Sequence, residues 1–214
     1  MRAQRVVVSG LTLLLAISSA VFAQPGLVKV HFGVLAGAAF DKPGGTDATD
    51  INGTYTGFGI GGFVGLQVTP GFAIEPEAFY VRKGAKTVNS GVTGKIRVPY
   101  FEIPVLAKLR IPVKGGSIVS PHLYAGPALG FKAGCHLNAT DGTTSISEDC
   151  DAENIKLKST DFSVTFGGGV DIGRAIIDVR YDLGLSKIGN DPSGGNDVKN
   201  RTLYLLAGWT FRAP

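Results

Sequence analysis

Residues that could perform acid–base or nucleophilic chemistry are few in this chain, and their spacing matches no catalytic pattern. The three histidines are His31, His122 and His136. A hydrolase-type Ser–His pair would have to join His122 to Ser120 or Ser163, and neither serine lies in a G-x-S-x-G turn. We therefore expect His122 to pack or hydrogen-bond, and we predict that the protein is not an enzyme.

The two cysteines, Cys135 and Cys150, lie in one polar segment. In an oxidising compartment such a pair usually forms a disulfide. Metal binding is the alternative because His136 adjoins Cys135, but the spacing matches no zinc pattern. We predict a disulfide and no metal or other cofactor. Acidic residues of the same segment also offer oxygen ligands for Ca²⁺, although a solvated acidic loop is the commoner explanation. They are Asp141, Asp149, Asp151 and Glu153.

Many charged residues occupy every second position of an extended run. In the segment 175–187, Asp178, Arg180 and Asp182 alternate with apolar residues. A period of two indicates a β-strand, so these charges share one face. Because unpaired charges in an enclosed space are costly, mixed signs favour structural pairing over a proton or ion path. The predicted lumen charge network consists of Glu75, Glu77, Glu102, Lys108, Arg110, Asp171, Asp178, Arg180 and Asp182.

The opposite face of the same segments is apolar. Repeated segments of about 10 residues with this alternation are typical of transmembrane β-barrels. The residues predicted to face lipid are Phe101, Ile103, Val105, Leu109, Ile177, Val179, Leu203, Leu205, Trp209 and Phe211.

Eight alternating segments are separated by connections of two kinds. Short Pro/Gly connections lie near 69–71, 112–117 and 173–174, and long polar ones near 41–53, 85–95, 133–159 and 188–200. Short and long connections alternate strictly, as periplasmic turns and external loops do in outer-membrane barrels. We predict an all-β, eight-stranded, antiparallel, up-and-down transmembrane β-barrel with periplasmic termini. The predicted strands are 28–40, 54–68, 72–84, 96–111, 121–132, 160–173, 175–187 and 201–212.

A soluble periplasmic ligand-binding barrel would place the apolar faces inside and the other faces in water. Those other faces should then carry many Lys and Glu residues, but they are rich in glycine and carry few charges. Small residues and complementary charges suit the narrow lumen of eight strands, so we prefer the membrane barrel. Pro76, Pro104 and Pro127 each remove a ladder donor, and we expect bulges or barrel rims there.

The N-terminal residues resemble a signal peptide. Arg2 and Arg5 precede an apolar run, and Val21-Phe22-Ala23 forms a small-x-small cleavage site. We expect a cleaved signal peptide over 1–23 and a barrel domain over 24–214. Loss of the two arginines lowers the net charge from +4 to +2. No basic cluster with interleaved aromatics occurs, so no nucleic-acid partner is expected.

Several blocks carry a family resemblance. Tyr80-Val81-Arg82-Lys83-Gly84, Tyr100–Leu106, Tyr124–Gly130, Arg180–Leu185 and Ala207–Phe211 occur in this order. Together they resemble the PorT-type outer-membrane β-barrel family. The resemblance covers most of the mature chain and implies an eight-stranded barrel in the bacterial outer membrane, often without an assigned activity. One branch of that family is linked to type IX secretion, and nothing here singles out that branch.

The sequence thus predicts an integral outer-membrane protein with a filled polar lumen and a structural or interaction role. Loop 133–159 is the candidate contact surface for a protein partner because it is the longest loop. Outer-membrane lipid and the barrel-assembly machinery are the other expected partners. The alternatives are a narrow pore or a secretion-associated barrel, a lipid-modifying enzyme, and the soluble barrel described above.

Overall fold

The computed structural model describes residues 29–48, 51–89, 91–113, 118–150, 157–189 and 197–211. The predicted signal peptide lies outside the described residues, as do Asp151 and Glu153 of the calcium alternative. Among the described residues, no helix has the length and apolar character needed to cross a membrane.

Eight antiparallel strands form a closed ring. The described residues contain ten strands, of which β1 to β5 and β8 to β10 are the ring strands. Each ring strand pairs with the next along the ring, and β3 pairs with β4 as well as β2 while β1 pairs with β10. The predicted eight-stranded barrel is confirmed. The strands are β1 Lys29–Asp41, β2 Tyr55–Thr69, β3 Phe72–Asn89, β4 Val92–Arg110, β5 Val119–Lys132, β6 His136–Thr140, β7 Ser145–Asp149, β8 Thr160–Ile172, β9 Ala175–Gly184 and β10 Arg201–Thr210.

The two ends of the barrel differ. Short connections at 70–71, 111–118 and 173–174 lie at one end, which we call the turn end, together with the start of β1 and the end of β10. The other end carries the longer excursions 42–54, 133–159 and 185–200, and we call it the loop end.

Side chains alternate between the lumen and the outer surface along each ring strand. In β9, Asp178, Arg180 and Asp182 are buried while Ile177 and Val179 are exposed. This follows from the pleat, which sends successive side chains to opposite faces. All acidic residues of the ring strands point inward, and they are Asp41, Glu75, Glu77, Glu102, Asp161, Asp171, Asp178 and Asp182.

Glycines make the closure of this narrow ring possible. A Cβ on Gly37 would lie 1.9 Å from the carbonyl oxygen of Leu205, where β1 meets β10. A Cβ on Gly65 would lie 2.1 Å from the ring of His31. Such positions leave no room for a side chain, so the sequence alternates glycines with the large inward residues that fill the lumen.

The predicted loop over 85–95 was wrong. β3 continues to Asn89 and β4 begins at Val92, so a tight turn with Gly91 at φ +85° joins two long strands. This β3–β4 extension rises beyond the barrel at the loop end. Ile96 packs against the hydrophobic core, but the side chains of 85–89 and 92–97 are half-buried or exposed, so the apolar alternation that marks the ring strands is weak in this segment.

The predicted connection over 133–159 contains a further hairpin. β6 pairs with β7, and β6 also pairs with residues Thr93–Arg97 of β4. A disulfide joins Cys135 to Cys150 at the base of the hairpin, with the two Cα atoms 5.5 Å apart. No residue of either strand is buried, so the hairpin leaves no period-two apolar signal in the sequence.

The three prolines cause no shift in strand register. Pro76 pairs with Val105, and the register is unchanged where Phe79 pairs with Glu102. Pro127 pairs with Val164 in the continuous register of β5 and β8. The expected bulges at these prolines were therefore wrong, and the shift between β2 and β3 lies instead at Gln67/Thr69, beside the turn. Each proline lacks a backbone N–H, so the ladder loses one donor at that position while the flanking pairs keep their register.

Candidate functional site

The lumen is the candidate site because it gathers nearly all buried ionisable groups of the described chain. The structure places all nine residues of the predicted charge network on the inward face. It adds five ionisable residues to them, and these are His31, Asp41, Lys83, His122 and Asp161. The charges form three tiers along the barrel axis.

The turn-end tier consists of pairs of oppositely charged side chains. Lys108 Nζ lies 3.3 Å from Glu75 Oε2, and His31 Nε2 lies 3.2 Å from Glu75 Oε1. Arg110 Nε donates to Asp171 Oδ2 at 3.3 Å. Opposite charges therefore alternate around this end of the lumen, which lowers the cost of burying each of them.

His122 completes the turn-end tier through two carboxylates. Its Nε2 lies 2.8 Å from Asp178 Oδ1, and its Nδ1 lies 3.4 Å from Asp171 Oδ1. Ser163 pairs with Ala128, six residues along β5 from His122, which is a distance of roughly 20 Å along a strand. Both nitrogens of His122 thus face acids, and the described residues show no Ser–His contact of a hydrolase.

The middle tier blocks the centre of the lumen. Arg180 donates from Nη1 and Nη2 to the two carboxylate oxygens of Glu77 at 2.7 and 2.8 Å. Its Cζ lies 5.4 Å from the ring centre of Phe79 and 5.3 Å from that of Tyr124. A bidentate ion pair flanked by two aromatic rings is a strong and directional arrangement that links β9 to β3 across the lumen.

The loop-end tier is built around Lys83. Its Nζ lies 2.7 Å from Glu102 Oε1 and 3.4 Å from Asp182 Oδ2. Asp182 also accepts hydrogen bonds from the hydroxyls of Thr165 at 2.7 Å and Tyr204 at 2.9 Å. Asp182 is therefore well satisfied by donors from three other strands.

Two further carboxylates give the loop-end tier an excess of negative charge. Asp161 accepts hydrogen bonds from Ser186 at 2.6 Å and Asn200 at 2.7 Å. Asp41 accepts one from Thr202, while its Oδ2 has no hydrogen-bond partner among the described residues. Four carboxylates thus face one ammonium in this tier, whereas the other two tiers contain nearly equal numbers of acids and bases.

Sequence reasoning missed Asp41, Lys83 and Asp161 in this network although a signal existed. Lys83 lies six residues after Glu77, so the period of two places both on the same face of β3. Asp41 is the last residue of β1 and lies just past the predicted strand 28–40, whereas Asp161 is the second residue of β8 and lies within the predicted strand 160–173.

The outer surface carries a continuous apolar band. The ten residues predicted to face lipid all lie outward, with exposed fractions between 40% and 56%. A water-soluble monomer rarely exposes so large an apolar area. Aromatic side chains contact one another near both margins, as Phe32 does with Phe211 at the turn end and Tyr80 with Phe101 nearer the loop end.

The acids of the β6–β7 hairpin do not converge. Asp141 lies at its tip, where hydrogen bonds from the backbone amides of Thr144 and Thr143 lower the pKa of its carboxyl group. Asp149 lies at its base, with Oδ1 2.7 Å from His136 Nδ1. The described residues contain no group of three or more His, Cys, Asp or Glu side chains arranged to hold a metal ion.

Comparison with known families shows in which membrane this barrel lies. The chain matches the family described as "Outer membrane protein beta-barrel domain" over residues 22–190. The chain belongs to this family. It is thus an integral barrel of the bacterial outer membrane, and its exposed apolar band is the surface that lipid covers.

Several solved structures of outer-membrane proteins are similar in fold. Ail of Yersinia pestis, solved in complex with sucrose octasulfate, is 18% identical with a TM-score of 0.46, covering 86% of this chain and 99% of its own. Neisserial surface protein A is 20% identical with a TM-score of 0.45, covering 84% and 95%. OprG of Pseudomonas aeruginosa is 14% identical with a TM-score of 0.46, covering 88% and 99%. No curated protein sequence matches the chain.

The central ion pair yields a prediction about stability. Arg180→Leu leaves the buried Glu77 carboxylate without its cation, and we expect a loss of about 3–5 kcal/mol in the free energy of unfolding. The double variant Glu77→Leu/Arg180→Leu removes both charges and should recover most of that loss. Urea unfolding in detergent micelles measures both. Lys187→Leu is the control, because its 3.9 Å pair with Asp197 is exposed and contributes less than about 1 kcal/mol.

The excess of negative charge in the loop-end tier predicts that removing one charge there increases the stability of the barrel. Asp41→Asn keeps an acceptor for the Thr202 hydroxyl and removes one of four neighbouring negative charges, so we expect it to stabilise the barrel by about 1 kcal/mol. Asp182→Asn, in the same tier, weakens three hydrogen bonds and should destabilise by about 2 kcal/mol. The measurement is the urea midpoint of each variant at neutral pH. A loss of stability in Asp41→Asn equal to that in Asp182→Asn would contradict the charge imbalance.

Proposed function

We propose that the protein is a non-enzymatic structural and interaction component of the outer membrane, anchored by a barrel with a closed lumen. The observation that carries this proposal is the middle tier. Arg180 and Glu77 bridge the lumen between the rings of Phe79 and Tyr124, and eight strands leave little space beyond such side chains.

The orientation and processing of the chain are part of this proposal. The turn end, with the start of β1 and the end of β10, would face the periplasm, because outer-membrane barrels have short turns on that side. The residues 1–23 would be removed as a signal peptide, and the barrel-assembly machinery would insert the mature chain. The order of the sequence blocks described above supports membership of the PorT-type family.

The loop end would provide the contact surface for a protein partner. The β3–β4 extension and the β6–β7 hairpin form one four-stranded sheet that stands beyond the barrel. The disulfide braces this sheet at its base. Ile146 and Val88 are 56% and 43% exposed on it. A braced surface with exposed apolar side chains is suited to protein recognition.

A narrow pore is the competing function, and conductance distinguishes the two. In a planar lipid bilayer the wild-type protein should give no open-channel steps, because the middle tier closes the lumen. The triple variant Glu77→Ala/Phe79→Ala/Arg180→Ala removes that tier and should give steps in the same membrane. An outward substitution, Phe58→Ala, is the control. Steps from the wild-type protein would refute the closed lumen.

The loop-end contact surface can be tested in cells. A photo-crosslinking amino acid at Ile146, on the β6–β7 hairpin, should give a discrete adduct of protein size. The same amino acid at Trp209, on the lipid-covered band at the turn end, should give none. Adducts at neither position, in cells where the barrel shows its heat-dependent mobility shift, would contradict a protein partner at this sheet.

A further inference from the structure

The charges of the ring strands are sorted by face. All acidic residues of these strands point into the lumen, as described above. Near the loop end, by contrast, basic residues lie on the outer side, either on a ring strand or within three residues of its end. We call this set the basic belt, and it consists of Lys42, Arg82, Lys158, Lys187 and Arg201.

The basic belt lies just beyond the apolar band. Arg201 is the outward residue two positions before Leu203 on β10, and Arg82 lies two positions after Tyr80 on β3, so both lie on the loop-end side of those residues. Two residues of a strand span about 7 Å, so each of these cations lies within one side-chain length of the membrane edge. Lys and Arg at this height extend their charged ends to the headgroups while their aliphatic parts remain against the apolar surface.

Neighbouring strands bring the cations together. The amide of Lys42 donates to the carbonyl of Arg201 at 3.1 Å, so these two residues lie side by side at the tops of β1 and β10. The guanidinium of Arg201 lies over Gly44, where an added Cβ would come within 2.5 Å of its Cζ. The amide of Lys158 donates to the carbonyl of Ile188, which places Lys158 beside the segment that holds Lys187.

Protein acids neutralise little of this charge. In the described part of the chain, Lys187 has a carboxylate at 3.9 Å, that of Asp197, and no ion pair within 4 Å involves the other four cations. Arg82 lies over the ring of Phe58, 4.9 Å from its centre, on the outer wall of the barrel. The belt therefore presents positive charge beside the apolar band, and carboxylates of the described residues neutralise little of it.

We propose that the basic belt binds phosphate groups on the lipid headgroups of the leaflet at the loop end. Phosphate oxygens accept charge-assisted hydrogen bonds from Lys and Arg, and adjacent cations such as Lys42 and Arg201 hold one phosphate between them. A soluble polyanion would be expected at the loop tips, whereas the belt lies at the ends of the ring strands and the bases of the loops, beside the apolar band. The inference rests on the proposed placement of the loops beyond the membrane, and it does not depend on the protein partner.

The test compares two forms of one lipid on the intact barrel. Nanodiscs of phosphatidylcholine contain a minor fraction of either bisphosphorylated lipid A or the same lipid without phosphates, and native mass spectrometry counts the lipids retained. The wild-type protein should retain about tenfold more of the phosphorylated form. Lys42→Gln/Arg201→Gln should lose this preference. Lys29→Gln/Arg174→Gln, which removes two cations at the turn end, should keep it.

Other outcomes overturn the inference in distinct ways. Equal retention of both lipids by the wild-type protein shows that the belt does not recognise phosphate. Binding of heparin to the wild-type protein in detergent, without lipid preference, shows that the belt serves a soluble polyanion. A heat-dependent mobility shift verifies folding of each variant, and Lys158→Gln/Lys187→Gln replaces the first pair if that pair does not fold. Failure of the wild-type protein to show the shift contradicts the membrane-barrel fold itself, not the binding of phosphate.

Discussion

Closure of eight strands is the constraint on which the rest of the structure depends. In lipid each backbone N–H and C=O of a spanning segment needs a partner, and the ring supplies one by pairing every strand on both sides. The same closure sets a lumen so narrow that inward positions must be glycine or a side chain with a complementary partner. Gly37 is an example of the first kind, because it lies close to the backbone of β10. Arg180 is an example of the second kind, because it pairs with Glu77 across the lumen.

The lumen charges follow from this confinement. A buried ion has to be paired, and the turn-end and middle tiers satisfy this condition with carboxylates, ammonium and guanidinium groups from different strands. Pairs such as Arg180–Glu77, which lie 103 residues apart, tie β9 to β3 across the ring. The loop-end tier departs from the rule through Asp41 and its unpartnered oxygen. That excess lies beneath the loops and inside the basic belt, so a net negative charge faces the lumen at this height while positive charge lies on the outer side.

Membrane position and interaction role come from different parts of the molecule. The apolar band and the aromatic contacts at its margins form the surface that lipid covers, and this surface does not depend on the structure of the loops. The β6–β7 hairpin beyond the barrel has no buried residue in its strands, and its order comes from pairing with β4 and from the Cys135–Cys150 bridge. It can therefore differ in sequence without disturbing the ring, which is the property expected of a contact surface.

The sequence by itself determined the eight ring strands, the inward and outward faces of β4 and β9, and the alternation of short and long excursions. All of these follow from a period of two and from turn residues, which are local properties. Only the tertiary structure decided which charges meet, because Lys83 finds Asp182 and Glu102 through the order of strands around the ring. It also decided that 85–95 continues two strands and that β6 pairs with β4. Those pairings bury little apolar surface, so no hydrophobic period marks them, and backbone hydrogen bonds together with the Cys135–Cys150 bridge define them.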